Sequence, residues 1–281
     1  MLAILGGLGA AFAFAATTLC SSRSARMLGP PSVLAWVMLV GLLVTGPAAA
    51  AEGVPSSLGA GSAGWLAVAG VGNVAGLLLT YAALRIGKVA IVAPIVSAEG
   101  AIAAVISVGA GEKLAAGTAA TLGVIAAGIV LASVTRDETS AGRDGLRPAL
   151  LAVSAAILFG ASLYATGRVG AELPVFWAVL PARVVGVLAV ALPLAVAGRL
   201  RLTRPAVPLV VTGGLGEVAG FACFTLGARH GLAVSAVLAS QFAAIAAVLA
   251  FLLFRERLLR VQTAGVVTIV GGVAALSALQ A

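Results

Sequence analysis

Long apolar runs separated by short polar gaps dominate this chain. Ten of the runs reach the length of about 20 helical residues needed to cross a hydrocarbon core of ~30 Å: 2–20, 32–50, 64–85, 88–110, 114–134, 148–167, 174–198, 206–228, 231–254 and 261–280. They are rich in Ala, Leu and Gly and show no period-2 alternation. A helix satisfies its own backbone in lipid, so each run predicts a transmembrane helix rather than a strand. The first run is rich in small residues, but it lacks a charged leading segment and matches the later runs in length. It therefore reads as a span and not as a signal peptide. The longest connection runs from Arg136 to Arg147 (RDETSAGRDGLR) at the middle of the chain. It predicts two halves, 1–135 and 148–281, joined by a polar linker at 136–147.

Composition strengthens this picture. Of the 281 residues 62% are hydrophobic and 9% charged, against about 25% charged in ordinary soluble proteins, and the mean hydropathy is +1.18. Such a chain cannot cover a water-facing surface, which excludes an ordinary cytosolic enzyme. The formal charge of +8 would suggest nucleic acid if the charges formed a patch. Instead they fall in the gaps between spans, so no nucleic-acid partner is expected. Arg23, Arg26, Arg85, Lys88, Arg136, Arg143, Arg147, Arg199, Arg201, Arg204, Arg255, Arg257 and Arg260 lie after the odd-numbered spans, on one side, whereas Lys113, Arg168 and Arg229 lie on the other. The positive-inside rule then places the odd loops in the cytoplasm and both termini outside, in a multi-pass protein of the inner or plasma membrane.

The usual equipment for catalysis or metal binding is sparse. Cys20 and Cys223 lie far apart in apolar runs, His230 is the single histidine, and the two aspartates, Asp137 and Asp144, share the linker. The reading is therefore not an enzyme, with no cofactor and no metal centre.

The two halves repeat at a constant offset of 144 residues. GNVAG at 72–76 matches GEVAG at 216–220, Arg85 and Gly87 match Arg229 and Gly231, and Glu112, Leu114 and Gly128 match Glu256, Leu258 and Gly272. Matches among Ala, Gly and Val are expected by chance in this composition, so the weight rests on the rare charged pairs in register with the glycines. Five spans per half is an odd number, so the halves must enter the membrane in opposite directions. The predicted fold is thus an all-α membrane protein of ten transmembrane helices in two inverted five-helix repeats.

Taken together, the ten spans, the ALRIG and GARHG hairpins and the GEKL and RERL openings of the last span in each half resemble the EamA family of the drug/metabolite transporter (DMT) superfamily. The first G-E-x-L element is intact at Gly111 to Leu114, whereas the second reads Arg255-Glu256-Arg257-Leu258. The resemblance covers the whole chain and implies secondary transport, mostly export, of amino acids, related metabolites or drugs. Its small-molecule substrate would cross the lipid bilayer with proton coupling as one mode. A lipid-carrier flippase, a metal-ion transporter of the same superfamily and a non-transporting membrane subunit stay open as alternatives.

Charge inside the spans carries the sharper signal. Glu99 lies near the middle of 88–110, Glu217 at the middle of 206–228 and Arg183 about one turn from the middle of 174–198. Each costs about 2.5 to 3.5 kcal/mol at the centre of a membrane helix on insertion scales. Protonation of a carboxyl, or its pairing with Arg183, would offset that cost, and either device suits a transporter. Glu217 is the repeat mate of Asn73, and Gln241 that of Ser97, so these polar positions share one depth. Glu99, Glu217, Arg183, Asn73, Gln241 and Ser97 are therefore the expected substrate or proton site. Arg183 is the candidate for a substrate carboxylate, with the role of plain counter-ion as the alternative. For the glutamates the alternative is a buried structural hydrogen bond. Pro94 and Pro181 are expected to break their helices near the site. Glu112 and Glu256 read as helix caps, Gly72/Gly76 and Gly216/Gly220 as close helix contacts, and Trp177, Tyr81 and Tyr164 as interfacial anchors.

Overall fold

The computed structural model describes residues 1–86, 92, 95–132, 143–245 and 260–279. Among them the ordered elements are helical: α1 Leu2–Leu28, α2 Pro30–Glu52, α3 Ala60–Ile86, α4 Glu99–Gly109, α5 Ala116–Ala132, α6 Arg143–Gly170, α7 Val175–Val196, α8 Val207–Ala228, α9 Leu232–Ala239 and α10 Arg260–Leu279. Six of the helices, those over Leu2–Leu28, Pro30–Glu52, Ala60–Ile86, Arg147–Gly170, Val175–Val196 and Arg204–Ala228, are long and apolar enough to cross a membrane. Burial is inverted relative to a soluble protein. Leu43, Val105 and Val196 stand exposed, while Thr17, Ser21, Asn73, Glu99, Arg183, Glu217 and Gln241 are buried. Apolar side chains outside and polar ones inside suit a chain solvated by lipid.

Helix breaks fall only partly where the prolines put them. The runs 88–110 and 231–254 are not uninterrupted helices in their described parts. A turn at Ser97–Ala98 precedes α4, and a turn at Ser240–Gln241 follows α9 before the chain resumes a helical course at 242–245. With 11 and 8 residues, α4 and α9 are each too short to span the core alone. The two breaks meet, since a Cβ on Gly100 would strike Ser240 and the Ala236 carbonyl. Pro94 lies outside the described residues. Pro181 does not break its helix: α7 continues through it and departs from α geometry only at the π turn Val187–Ala191. Proline removes one backbone donor, and the neighbouring helices hold the rest of the turn in place.

Helix pairs occur in matched sets. α1 packs along α8 as α6 packs along α3, α1 meets α9 as α6 meets α4, and α2 lies on α8 as α7 lies on α3. Other extensive contacts join α2 to α7, α4 to α9 and α5 to α10. Details repeat as well. Gly72 faces the Leu158 carbonyl and Ser162, and Gly216 faces the Ala13 carbonyl and Thr17. Thr17 donates to the Gly213 carbonyl at 3.2 Å and Ser162 to the Ala69 carbonyl at 2.7 Å. Gly41 takes the Arg183 side chain against its bare backbone as Gly186 takes Met38.

A buried polar cluster beside a central cavity

α3 and α8 bring Asn73 and Glu217 to the same depth. The Asn73 amide donates to Glu217 Oε1 at 3.3 Å, so two residues 144 apart in sequence touch. Glycines on the same helices allow α3 to sit directly on α6 and α8 on α1, because a Cβ at Gly72 would come within 2.9 Å of the Leu158 carbonyl and one at Gly216 within 3.0 Å of the Ala13 carbonyl.

From α7, Arg183 reaches the other face of Glu217. Its Nη1 lies 3.8 Å from Glu217 Oε1, and its Nη2 donates to the Glu217 backbone carbonyl at 3.1 Å. The guanidinium also stands over the Phe221 ring, 5.4 Å from the centroid, and Nη1 lies 3.9 Å from the Met38 sulfur. Gly41 makes room for the stem, since a Cβ there would come within 2.8 Å of Arg183 Cδ. Arg183 is 0% exposed and Glu217 4%. Each charge is thus removed from solvent and compensated by the other, the condition under which such a pair is tolerated in a dry interior.

A cavity of about 70 Å³ lies against this cluster, with room for about five water molecules. Glu99, at the first position of α4, opens onto it, as do Asn73 and Glu217. Phe14, Phe159, Phe221 and Phe242 supply its aromatic walls, and Phe14 and Phe221 stack edge to face at 5.2 Å between centroids. Toward one end the lining continues through Thr80, Tyr81 and Leu84 of α3 and Thr17 and Thr18 of α1. That is the end of the molecule at which α3 finishes with Arg85 and α1 with Arg26.

The six expected site residues separate into three groups. Asn73, Glu99 and Glu217 line the cavity. Arg183 is in contact with Glu217 but stands behind the wall. Ser97 and Gln241 are buried at the two helix breaks beside the cavity, and Gln241 Nε2 has no hydrogen-bond partner among the described residues.

Other side chains took places that their position in the spans did not suggest. Tyr81 is not an interfacial anchor: it is 3% exposed, lines the cavity and donates to Ser21 Oγ at 3.1 Å. Its helical spacing held the clue, because Asn73, Leu77, Thr80, Tyr81 and Leu84 fall on one face of α3. Trp177 does tie a helix end, donating to the Ala49 and Gly53 carbonyls at 3.1 and 2.8 Å, and Tyr164 packs on Trp65. Glu112 caps a helix, but not the one that follows it. Its carboxylate accepts from the Ala233 amide in the first turn of α9 at 3.1 Å and from the Ser107 hydroxyl. Glu256 lies outside the described residues.

Comparison with known proteins agrees with this architecture. A solved crystal structure is similar over 99% of this chain and 98% of its own, with a TM-score of 0.80 at 19% identity, a likeness of fold. No curated protein matches the sequence. Residues 1–134 match the model of the EamA-like transporter family. That family consists of membrane transporters of the drug/metabolite transporter superfamily, and the several apolar helices are those of a multi-pass membrane protein. Over residues 1–134, just under half of its length, the chain is thus similar to the EamA-like transporter family.

Proposed function

We propose that the protein is a secondary transporter that exports a small organic solute, such as an amino acid, metabolite or drug, by alternating access. The carrying observation is the cavity at the meeting of α1, α3, α4, α6 and α8, with two carboxyl groups opening onto it. The two halves act as inverted five-helix repeats, a reading supported by the matched helix pairs and by the contact between Asn73 and its mate Glu217. Rocking of one half against the other would move access to the site from one membrane face to the other.

In this reading Glu99 and Glu217 hold the substrate's polar group or a coupling proton, and Asn73 orients Glu217. Ser97 and Gln241 sit where α4 and α9 are interrupted, the place where transporters of this design offer backbone and side-chain polar groups to their cargo. Arg183 serves as the counter-ion of Glu217 rather than as a substrate ligand, since it is in contact with Glu217 and the Phe221 ring but is not itself among the residues that line the cavity. The basic loops lie in the cytoplasm of an inner or plasma membrane, so the cavity reaches toward the cytoplasmic side, as an exporter loading its cargo requires.

The experiment is flux in proteoliposomes with and without an imposed proton gradient. Glu99→Gln or Glu217→Gln should abolish transport, or its dependence on pH, while the protein is still made and purified. Wild-type, pH-dependent flux in both variants would remove the carboxyls from the mechanism.

A further inference from the structure

The hydrogen-bonding character of the cavity wall points to a particular class of solute. The donors in the wall are mostly spent on the protein itself. Thr18 donates to the Phe14 carbonyl at 2.8 Å, Thr17 to the Ala13 and Gly213 carbonyls at 3.1 and 3.2 Å, and Tyr81 to Ser21. The Asn73 amide nitrogen is directed at Glu217. What these groups leave for a ligand is acceptor capacity: hydroxyl lone pairs and the Asn73 carbonyl Oδ1, which is buried and has no partner among the described residues. The Thr80 hydroxyl, also without a partner there, is free to turn either way.

Charge agrees with this. Among the described lining residues there are two carboxyl groups and no Lys, Arg or His. Arg183 neutralises Glu217 from behind the wall, while Glu99 has no cation within ion-pair range among the described residues. Four phenylalanines line the cavity, and an aromatic ring attracts a cation over its electron-rich face while its body packs on apolar groups. A ligand carboxylate would meet acceptors and a second negative charge, with its natural partner Arg183 already engaged.

Resting on the transporter reading above, we propose that the cavity takes a small organic monocation, an ammonium group on an aromatic or alkyl body with no carboxylate. Glu99 is its charge partner, and Asn73 Oδ1 with the Thr17 and Thr18 oxygens accepts its N–H donors. Zwitterionic amino acids and carboxylic acids of the same size should bind more weakly, because no cation among the described lining residues meets their carboxylate.

Three compounds with one apolar body test this: phenethylamine, phenylalanine and 3-phenylpropionate. Binding to the full-length protein in nanodiscs is measured by calorimetry, and flux is followed in proteoliposomes. Phenethylamine should bind at least tenfold more tightly than the other two and Glu99→Gln should weaken it at least tenfold, with Lys113→Gln, on a connecting loop, as the unaffected control. If Glu99→Gln does not give monodisperse protein, the wild-type series decides alone. Equal or tighter binding of phenylalanine or phenylpropionate overturns the proposal, as does failure of phenethylamine to bind. Flux of phenylalanine without phenethylamine binding would sink the solute class and leave transport standing. Phenethylamine binding without flux would do the reverse.

Discussion

Arg183 and Glu217 depend on each other, and their separation by substitution should be asymmetric. Removing the guanidinium as Arg183→Met keeps the volume and leaves a buried carboxylate against Asn73 and Phe221 without its partner, which costs about 3 to 5 kcal/mol. The double variant Arg183→Met/Glu217→Gln removes both charges and should recover most of that loss. Thermal melting of the detergent-purified double variant and both single variants checks the cycle; a loss in the double variant equal to the sum of the two single losses would mean that the pair is not coupled. Both residues stood out in the sequence, because a charge inside an apolar span has few explanations. Which of the two faces the cavity did not. That depends on where α7 places its side chain relative to α8, and the Gly41 backbone that accommodates the Arg183 stem comes from a third helix far away in sequence.

Helices approach one another through their glycines, and here position within a helix decides the effect. Gly72→Ala would push a methyl group to within 2.9 Å of the Leu158 carbonyl, a backbone atom that cannot turn aside, whereas a Cβ at Gly64 in the same helix meets nothing within 4 Å. Gly72→Ala should therefore lower stability by about 1 to 3 kcal/mol, and Gly64→Ala should be neutral or slightly stabilising. Comparison of their melting temperatures decides. Glu112 offers a second test between elements. Loss of its carboxylate in Glu112→Ala removes the cap on the first turn of α9 and should cost about 1 kcal/mol, read as faster hydrogen exchange at residues 232–236. The sequence indicated a capping glutamate, yet the natural inference was the next helix in the chain. A cap is a matter of distance in space, and α9 arrives at Glu112 only after the second half has packed against the first.

At the scale of the molecule, the distribution of basic residues makes a prediction about sidedness. With Cys20 and Cys223 replaced by serine, a cysteine at the exposed Ser56 should react with a membrane-impermeant maleimide from outside the cell. One at the exposed Thr203 should react only after the membrane is opened. The opposite result would invert the orientation and turn the cavity toward the outside. Access should also change with the transport cycle, so labelling of a cysteine at Leu84, near one end of the cavity lining, should respond to added solute if the halves rock.

The ten apolar runs, the central polar linker and the residues that violate an apolar span were legible in the sequence by itself, because lipid imposes a one-dimensional rule on length and polarity. The same holds for the GxxxG positions and the repeat offset, which are properties of spacing. Tertiary structure alone decided the rest. Span 9 is interrupted where α9 meets α4, Tyr81 turns inward to the cavity, and Arg183 is held behind its wall. These outcomes depend on which helix faces which, and hydropathy along the chain is blind to that: a buried face and a lipid-facing one are both apolar. In this protein the membrane dictates the helices, and contacts between them dictate the site.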